Sequence, residues 1–310
     1  MSCTSDALAV TAGGLKLKTP VVIASGTWAY EENLWQEDLT RYVGAICSKA
    51  ITKDPCAGNP GTRVWETPSG ILNSIGLQNE GIDHFIDVRL PQLHQRGVPV
   101  ILNICMQSAG ELDYMMRRTA EVRGMADAVE LNISCPNTDH GCMSWGVSPD
   151  LTAQAVELAR RRWDGPLWVK LTPQAPDISA VAKAAESAGA SAVVVGNTWL
   201  GMAIDTKRGV PVFARRVAGL SGPAVFPLAL RTVWDAAGAV KIPVIGCGGV
   251  SDADSALAMI MAGAAAVEVG AALFSGFDTL EKIHAGLLNA VRQFKVSSVS
   301  ELCGKARNTQ

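Results

Sequence analysis

The sequence predicts an α/β protein built as a (β/α)8 TIM barrel with an N-terminal β-hairpin and an inserted substrate-loop region. Two observations support that class and a third bears on its rival. From Val21 onward short apolar, β-branched runs alternate with stretches of helical period, the pattern of strand–helix units around a parallel sheet. Eight such runs are readable. No GxGxxG follows an early strand, which weighs against a doubly wound dinucleotide-binding sheet, although local pattern by itself does not show closure.

In chain order, LAVTAGGLKLK (8–18) carries two short runs around Gly13-Gly14, a hairpin placed to close the bottom of the barrel. The eight strands are VVIA (21–24), AICSK (45–49), PVILN (99–103), AVELN (128–132), LWVK (167–170), AVVVG (192–196), PVIG (243–246) and AAVEVG (265–270). Helices lie between them. In DISAVAKAAESAG, Ile178, Val181, Ala182 and Ala185 share one face before Gly189 stops the helix. The stretch from Lys49 to Asn73 is too long and too rich in Pro, Gly and Asn for a minimal connection, and reads as a lid or substrate loop.

Of 310 residues, 48% are hydrophobic and 18% charged, enough for a large core, and no composition shift marks a boundary: residues 1–310 read as a single domain. A formal net charge of -2 without a basic cluster argues against nucleic acid or an anionic membrane as principal partner. No apolar stretch is long enough to span a bilayer, and MSCTSDALAV has no basic start before an apolar block, so a cytoplasmic location is expected. The eight cysteines form no CxxC and no Cys/His cluster, so no metal site is expected and most are small buried apolar residues.

Five of the first six strands end in, or run straight into, a polar side chain: Lys49, Asn103, Asn132, Lys170 and Asn197. In AVELN, Val129 and Leu131 face the helices while Glu130 and Asn132 face the barrel interior. Lys170 would be explained by Glu130 on the neighbouring strand, and the asparagines by loop backbone. Together, a ring of buried polar groups calls for a polar ligand at the rim where barrels build their sites. PVIGCGGV (243–250), VEVGAALF (267–274) and AGLSG (218–222) supply glycines at the loops where barrels bind phosphate. Flavin mononucleotide (FMN) fits such a mouth, with Lys170 at the ring's N1/C2 edge; a sugar phosphate would use the same glycines.

Cys135 follows the fourth strand by three residues and is stiffened by Pro136, which presents it at the rim. It is a base for a weakly acidic carbon, a nucleophile, or an incidental thiol. NSIGLQN (73–79) offers amides around a glycine turn, or is an ordinary turn.

ELNISCPNTDHG, NSIGLQNEGID, VKLTP, GNTWLG, GLSGPA, PVIGCGGV and VGAALF, in their several places along the chain, resemble class 1 dihydroorotate dehydrogenases, in particular the catalytic subunit of the NAD-linked branch. The similarity runs from about Leu8 to the C-terminus. It implies a (β/α)8 barrel that carries FMN and oxidises dihydroorotate to orotate in pyrimidine biosynthesis. It also implies a homodimer joined by an electron-transfer subunit holding FAD and a [2Fe–2S] cluster, which passes electrons to NAD.

Position by position, Cys135 matches the base at C5, while hydride leaves C6 for flavin N5; Lys49 is the other catalytic candidate. Lys49, Asn73, Ser74, Ile75, Gly76, Leu77, Asn132, Asn197 and Thr198 match substrate-binding positions. Ser25, Lys49, Ala50, Asn103, Asn132, Lys170, Gly196, Gly222, Gly248, Gly249, Gly270 and Ala271 match FMN contacts. Three departures stand out: Gly196 where a bulkier apolar residue is usual, Ala271 for a common threonine, and Glu80 for a usual proline. The rivals are a flavin barrel acting on dihydropyrimidines, a phosphate-binding lyase or isomerase using Lys170 or Lys49 as a Schiff base, and a non-catalytic scaffold for an electron-transfer subunit.

Overall fold

The computed structural model describes residues 5–28, 37–134 and 142–308. Strands β1 (Val10–Ala12) and β2 (Leu15–Leu17) form the N-terminal hairpin. Its turn places Gly13 and Gly14 at φ 52° and 87°, a left-handed pair that only glycine adopts without strain. The fully buried Trp168 donates from Nε1 to the Gly13 carbonyl at 3.1 Å, which fixes the hairpin as the plug of the barrel's N-terminal end.

The barrel strands are β3 (Val21–Ile23), β4 (Ala45–Cys47), β7 (Val100–Cys105), β8 (Ala128–Asn132), β9 (Leu167–Leu171), β10 (Ala192–Val195), β15 (Val244–Cys247) and β16 (Ala264–Val269). They pair in parallel in that order, and β16 returns to β3, so the barrel is closed and the doubly wound alternative falls away. Both faces of such strands are covered, hence the near-continuous Val/Ile/Leu runs that marked them in the sequence. The helix anticipated after β9 spans Ile178–Ser187 and buries Ile178, Val181, Ala182 and Ala185. Its start is capped by Asp177, whose side chain accepts from the Ala180 N–H, as Ser108, Ser148 and Asp252 cap theirs.

The segment between Lys49 and Asn73 differs from the expected loop. It contains β5 (Val64–Thr67) and β6 (Gly70–Asn73), which join β11 (Trp199–Met202) and β14 (Val217–Ser221) in a four-stranded antiparallel sheet ordered β11-β14-β6-β5. The pairs Asn73↔Gly219 and Val64↔Asn73 set the register. On one face, Val64, Glu66, Ile71, Asn73 and Ser221 look onto the cavity described below; on the other, Leu72 packs with Phe213 and Ala218. The insertion is a roof over the barrel mouth. Beyond it, β12 (Ile204–Asp205) and β13 (Val210–Pro211) make a short ribbon. No helix among the described residues is long and apolar enough to cross a membrane.

Candidate cofactor and substrate site

A cavity of about 630 Å³ lies between the C-terminal rim of the barrel and the roof. The sequence candidates Ser25, Lys49, Ala50, Asn73, Ile75, Gly76, Leu77, Asn132, Lys170, Asn197, Thr198, Gly222, Gly248, Gly249, Gly270 and Ala271 all line it. Three others do not. Asn103 sits deeper, because β7 continues past it to Cys105; it is fully buried, and its Oδ1 accepts from Asn132 Nδ2 at 3.2 Å. It therefore supports Asn132 from below the cavity floor. Ser74 is buried, accepts from Asn59 Nδ2 at 3.0 Å and donates its backbone N–H to Arg63, so neither group is offered to a ligand. Gly196 has φ 132°, and a Cβ there would lie 2.0 Å from the Cys247 carbonyl oxygen, so it serves close passage of two chains. Cys135 lies outside the described residues.

The cavity has two chemically different ends. At one, Gly222, Gly248 and Gly249 have φ of 101°, 127° and 74°, and a Cβ on Gly249 would lie 2.7 Å from the backbone of Phe226. The N–H groups of Gly248, Gly249 and Ala271 donate to no backbone carbonyl among the described residues. Exposed backbone donors in a glycine-walled cradle fit a phosphate, so the donor set is of the kind FMN requires. Ala271 loses a hydroxyl relative to threonine but keeps its place on the wall.

At the other end, Asn132 Oδ1 accepts from the N–H and the hydroxyl of Ser134 at 3.2 and 2.9 Å, and Asn197 Nδ2 donates to Ser134 Oγ at 2.7 Å. The Asn197 carbonyl oxygen is turned onto the Thr198 N–H at 2.8 Å. Ser134, the residue that precedes Cys135, thus ties the ends of β8 and β10 together. Gly76 and Leu77 both adopt left-handed φ, 73° and 57°, which is costly for a leucine and turns the loop's backbone toward the cavity. Their N–H groups donate to no backbone carbonyl among the described residues. Glu80 does not line the cavity and pairs with Arg89 at 2.9 and 3.0 Å.

The floor holds the Lys170–Glu130 pair expected from the sequence, together with a second carboxylate, Glu268, that was not. Lys170 Nζ lies 3.3 Å from Glu130 Oε1 and 2.5 Å from Glu268 Oε2, all three residues being buried. Burial works against the lysine's charge, but the two glutamates outweigh it and raise its pKa well above the ordinary range. Burial likewise opposes the Glu130 charge, yet Lys170 and the donors around it hold its pKa below the usual value. Glu268 goes the other way: burial and the Glu130 charge push it up to about 8. Burial also raises the Cys47 and Cys247 thiols. Cys47, Glu130 and Glu268 place ligand-type atoms within 4.8 Å of one another, but the ammonium of Lys170 already supplies the cation there. The period-2 pattern that turned Glu130 inward applies equally to Glu268 in AAVEVG.

The sequence profile of the family described as dihydroorotate dehydrogenase matches residues 7–291. Among curated proteins, the chain is 42% identical over 300 residues to a dihydroorotate dehydrogenase B (NAD(+)), catalytic subunit, of Geotalea daltonii, covering 96% of this chain and 97% of the relative. It is 43% identical over 298 residues to the protein of the same description from Trichlorobacter lovleyi (96% and 98%), and 41% over 302 residues to that of Geobacillus kaustophilus (97% and 96%). A match of this extent, on a barrel whose rim gathers the glycines, amides and lysines described above, assigns the chain to the dihydroorotate dehydrogenase family.

Proposed function

We propose that the chain oxidises (S)-dihydroorotate to orotate, the step that creates the pyrimidine double bond in UMP biosynthesis, as the FMN-carrying subunit of an NAD-linked enzyme. The observation that carries this reading is the two-ended cavity: a glycine-walled cradle at one end and Lys49, Asn73, Asn132 and Asn197 at the other. FMN, when bound, accepts the hydride from C6 at its N5.

The chain's own residues do the rest. Backbone donors at Gly222, Gly248, Gly249, Gly270 and Ala271 would hold the phosphate, with Ser25 and Ala50 along the same wall. Lys170, kept cationic by its two glutamates, supplies positive charge where a reduced ring becomes electron-rich. That same charge argues against Lys170 as a Schiff-base nucleophile, which needs a neutral amine. Lys49, the Asn73 side chain and the free N–H groups of Gly76 and Leu77 suit a carboxylate, while Asn132, Asn197 and Thr198 suit the ring amides. Cys135, on the loop anchored by Ser134, removes the C5 proton. A partner subunit holding FAD and a [2Fe–2S] cluster, bridging a homodimer of this chain in the cytoplasm, would take the electrons onward to NAD.

Anaerobic mixing of the FMN-loaded protein with dihydroorotate tests the reaction: the flavin colour bleaches and orotate appears in equal amount. Turnover of dihydrouracil with none of dihydroorotate would move the chain to the dihydropyrimidine-reducing barrels.

A further inference from the structure

At the cavity floor, Glu130 on β8, Lys170 on β9 and Glu268 on β16 are buried, with Lys170 and Glu268 on the lining. Two ionised carboxylates and one ammonium would leave an uncompensated negative charge there, a burial that costs several kcal/mol. The donors are unevenly distributed. Glu130 Oε1 receives Lys170 Nζ, Cys47 Sγ at 3.3 Å and a short contact from Asn103 Nδ2, and Glu268 Oε2 receives Lys170. Glu130 Oε2 and Glu268 Oε1 are buried and have no hydrogen-bond partner among the described residues. The two buried side chains bring a carboxylate oxygen each within 4.8 Å of one another. A buried carboxylate pair with one oxygen of each member short of a donor marks the place of a proton.

We infer that Glu130 and Glu268 share one proton, which makes the Glu130–Lys170–Glu268 cluster neutral and makes Glu268 a positioning residue that holds Lys170 under the flavin. The role assigned to Lys170 rests on the FMN reading above; the shared proton does not. The groups facing Glu268 are Cys47 from β4, Glu130 from β8, Lys170 from β9 and Cys247 from β15, while Asn103 from β7 faces Glu130 and Lys49 lines the cavity wall. At the same level β3 and β10 contribute only Val22 and Val194, register partners of Glu268 and Lys170. Both thiols are raised, so Glu268 is the member placed to lose its proton first as pH rises. Its loss turns the cluster negative at the floor of the cavity that would hold the flavin.

The test combines infrared spectroscopy with FMN binding, using the full chain. At neutral pH the wild-type protein, with or without FMN, should show a carboxylic-acid C=O band that fades as pH passes about 8 and is absent from Glu268→Gln. FMN dissociation constants from fluorescence quenching should rise about tenfold between pH 7 and pH 9 in the wild type, and change less than about twofold in Glu268→Gln, whose amide mimics the protonated acid. A wild-type spectrum without an acid band at neutral pH overturns the shared proton, and decides the matter even where Glu268→Gln fails to fold. Parallel pH dependence of FMN binding in both proteins overturns the positioning role. Failure of wild-type protein to bind FMN at all would instead strike the cofactor reading and leave the infrared result standing.

Discussion

Asn197 Nδ2 donates to Ser134 Oγ at 2.7 Å, while Ser134 donates to Asn132 Oδ1, so three residues at the C-terminal ends of β8 and β10 fix the residue immediately before Cys135. Ser134 is fully buried. Ser134→Ala should leave FMN retention intact and lower kcat/KM for dihydroorotate about tenfold, the effect of one buried hydrogen bond worth about 1.4 kcal/mol. Steady-state kinetics beside a flavin absorbance spectrum check it; unchanged kcat/KM would mean that the Ser134 hydroxyl has no part in aligning the site.

Cys135→Ser separates base from binding. A hydroxyl has far less access to its anion at neutral pH than a thiol, so turnover should fall by about 10²–10⁴, the range for removal of a general base. It should recover in part as pH rises, while the FMN spectrum stays that of the wild type. Near-normal turnover at neutral pH would return Cys135 to an incidental thiol.

The barrel was legible because its strands are short, mostly apolar runs buried on both faces, as in AVVV at Ala192–Val195. The roof was not. Trp199–Met202 and Val217–Ser221 carry glycines and exposed side chains, and Asn73 meets Gly219 across 146 residues, a pairing without local signal. Its place at the end of PVILN put Asn103 in the polar ring but did not tell how deep it lies, since depth depends on where β7 ends. Glu268 was passed over as one charge in an apolar run; its meaning depends on Lys170 and Glu130, which only closure of the barrel brings to it.

Gly249 and Gly61 share a left-handed φ, 74° and 76°, but differ in surroundings. A methyl group on Gly61 meets nothing within 4 Å, whereas on Gly249 it lies 2.7 Å from three atoms of Phe226 at the start of the helix Phe226–Ala237. Gly61→Ala should cost about 1 kcal/mol of backbone strain with FMN binding unchanged. Gly249→Ala should cost about 1–3 kcal/mol more and weaken FMN binding at least tenfold, as clash and strain together move the cradle. Urea unfolding and FMN titration of the two variants side by side decide it; equal losses would show that the cradle yields without cost.

The raised pKa of Glu268 also has a signature in stability. Between the ordinary glutamate value of 4.5 and about 8, the folded protein holds a proton on this group that the unfolded chain has lost. Stability therefore falls as pH rises through that window, by up to about 1.4 kcal/mol per pH unit from this group, and levels off above it. Glu130 has the opposite shift, so its contribution is present above 4.5 and is lost only as pH falls below that value, outside the window. His284, lowered by burial, adds a rise near its ordinary value of 6.5 that is common to wild type and variant. The difference between wild type and Glu268→Gln thus isolates the one carboxyl. Urea midpoints measured from pH 5 to pH 9 should show the wild type losing ground steadily to Glu268→Gln until about pH 8 and running parallel beyond it. Parallel curves across the whole range would mean that Glu268 is ionised throughout and that the barrel interior tolerates the extra negative charge.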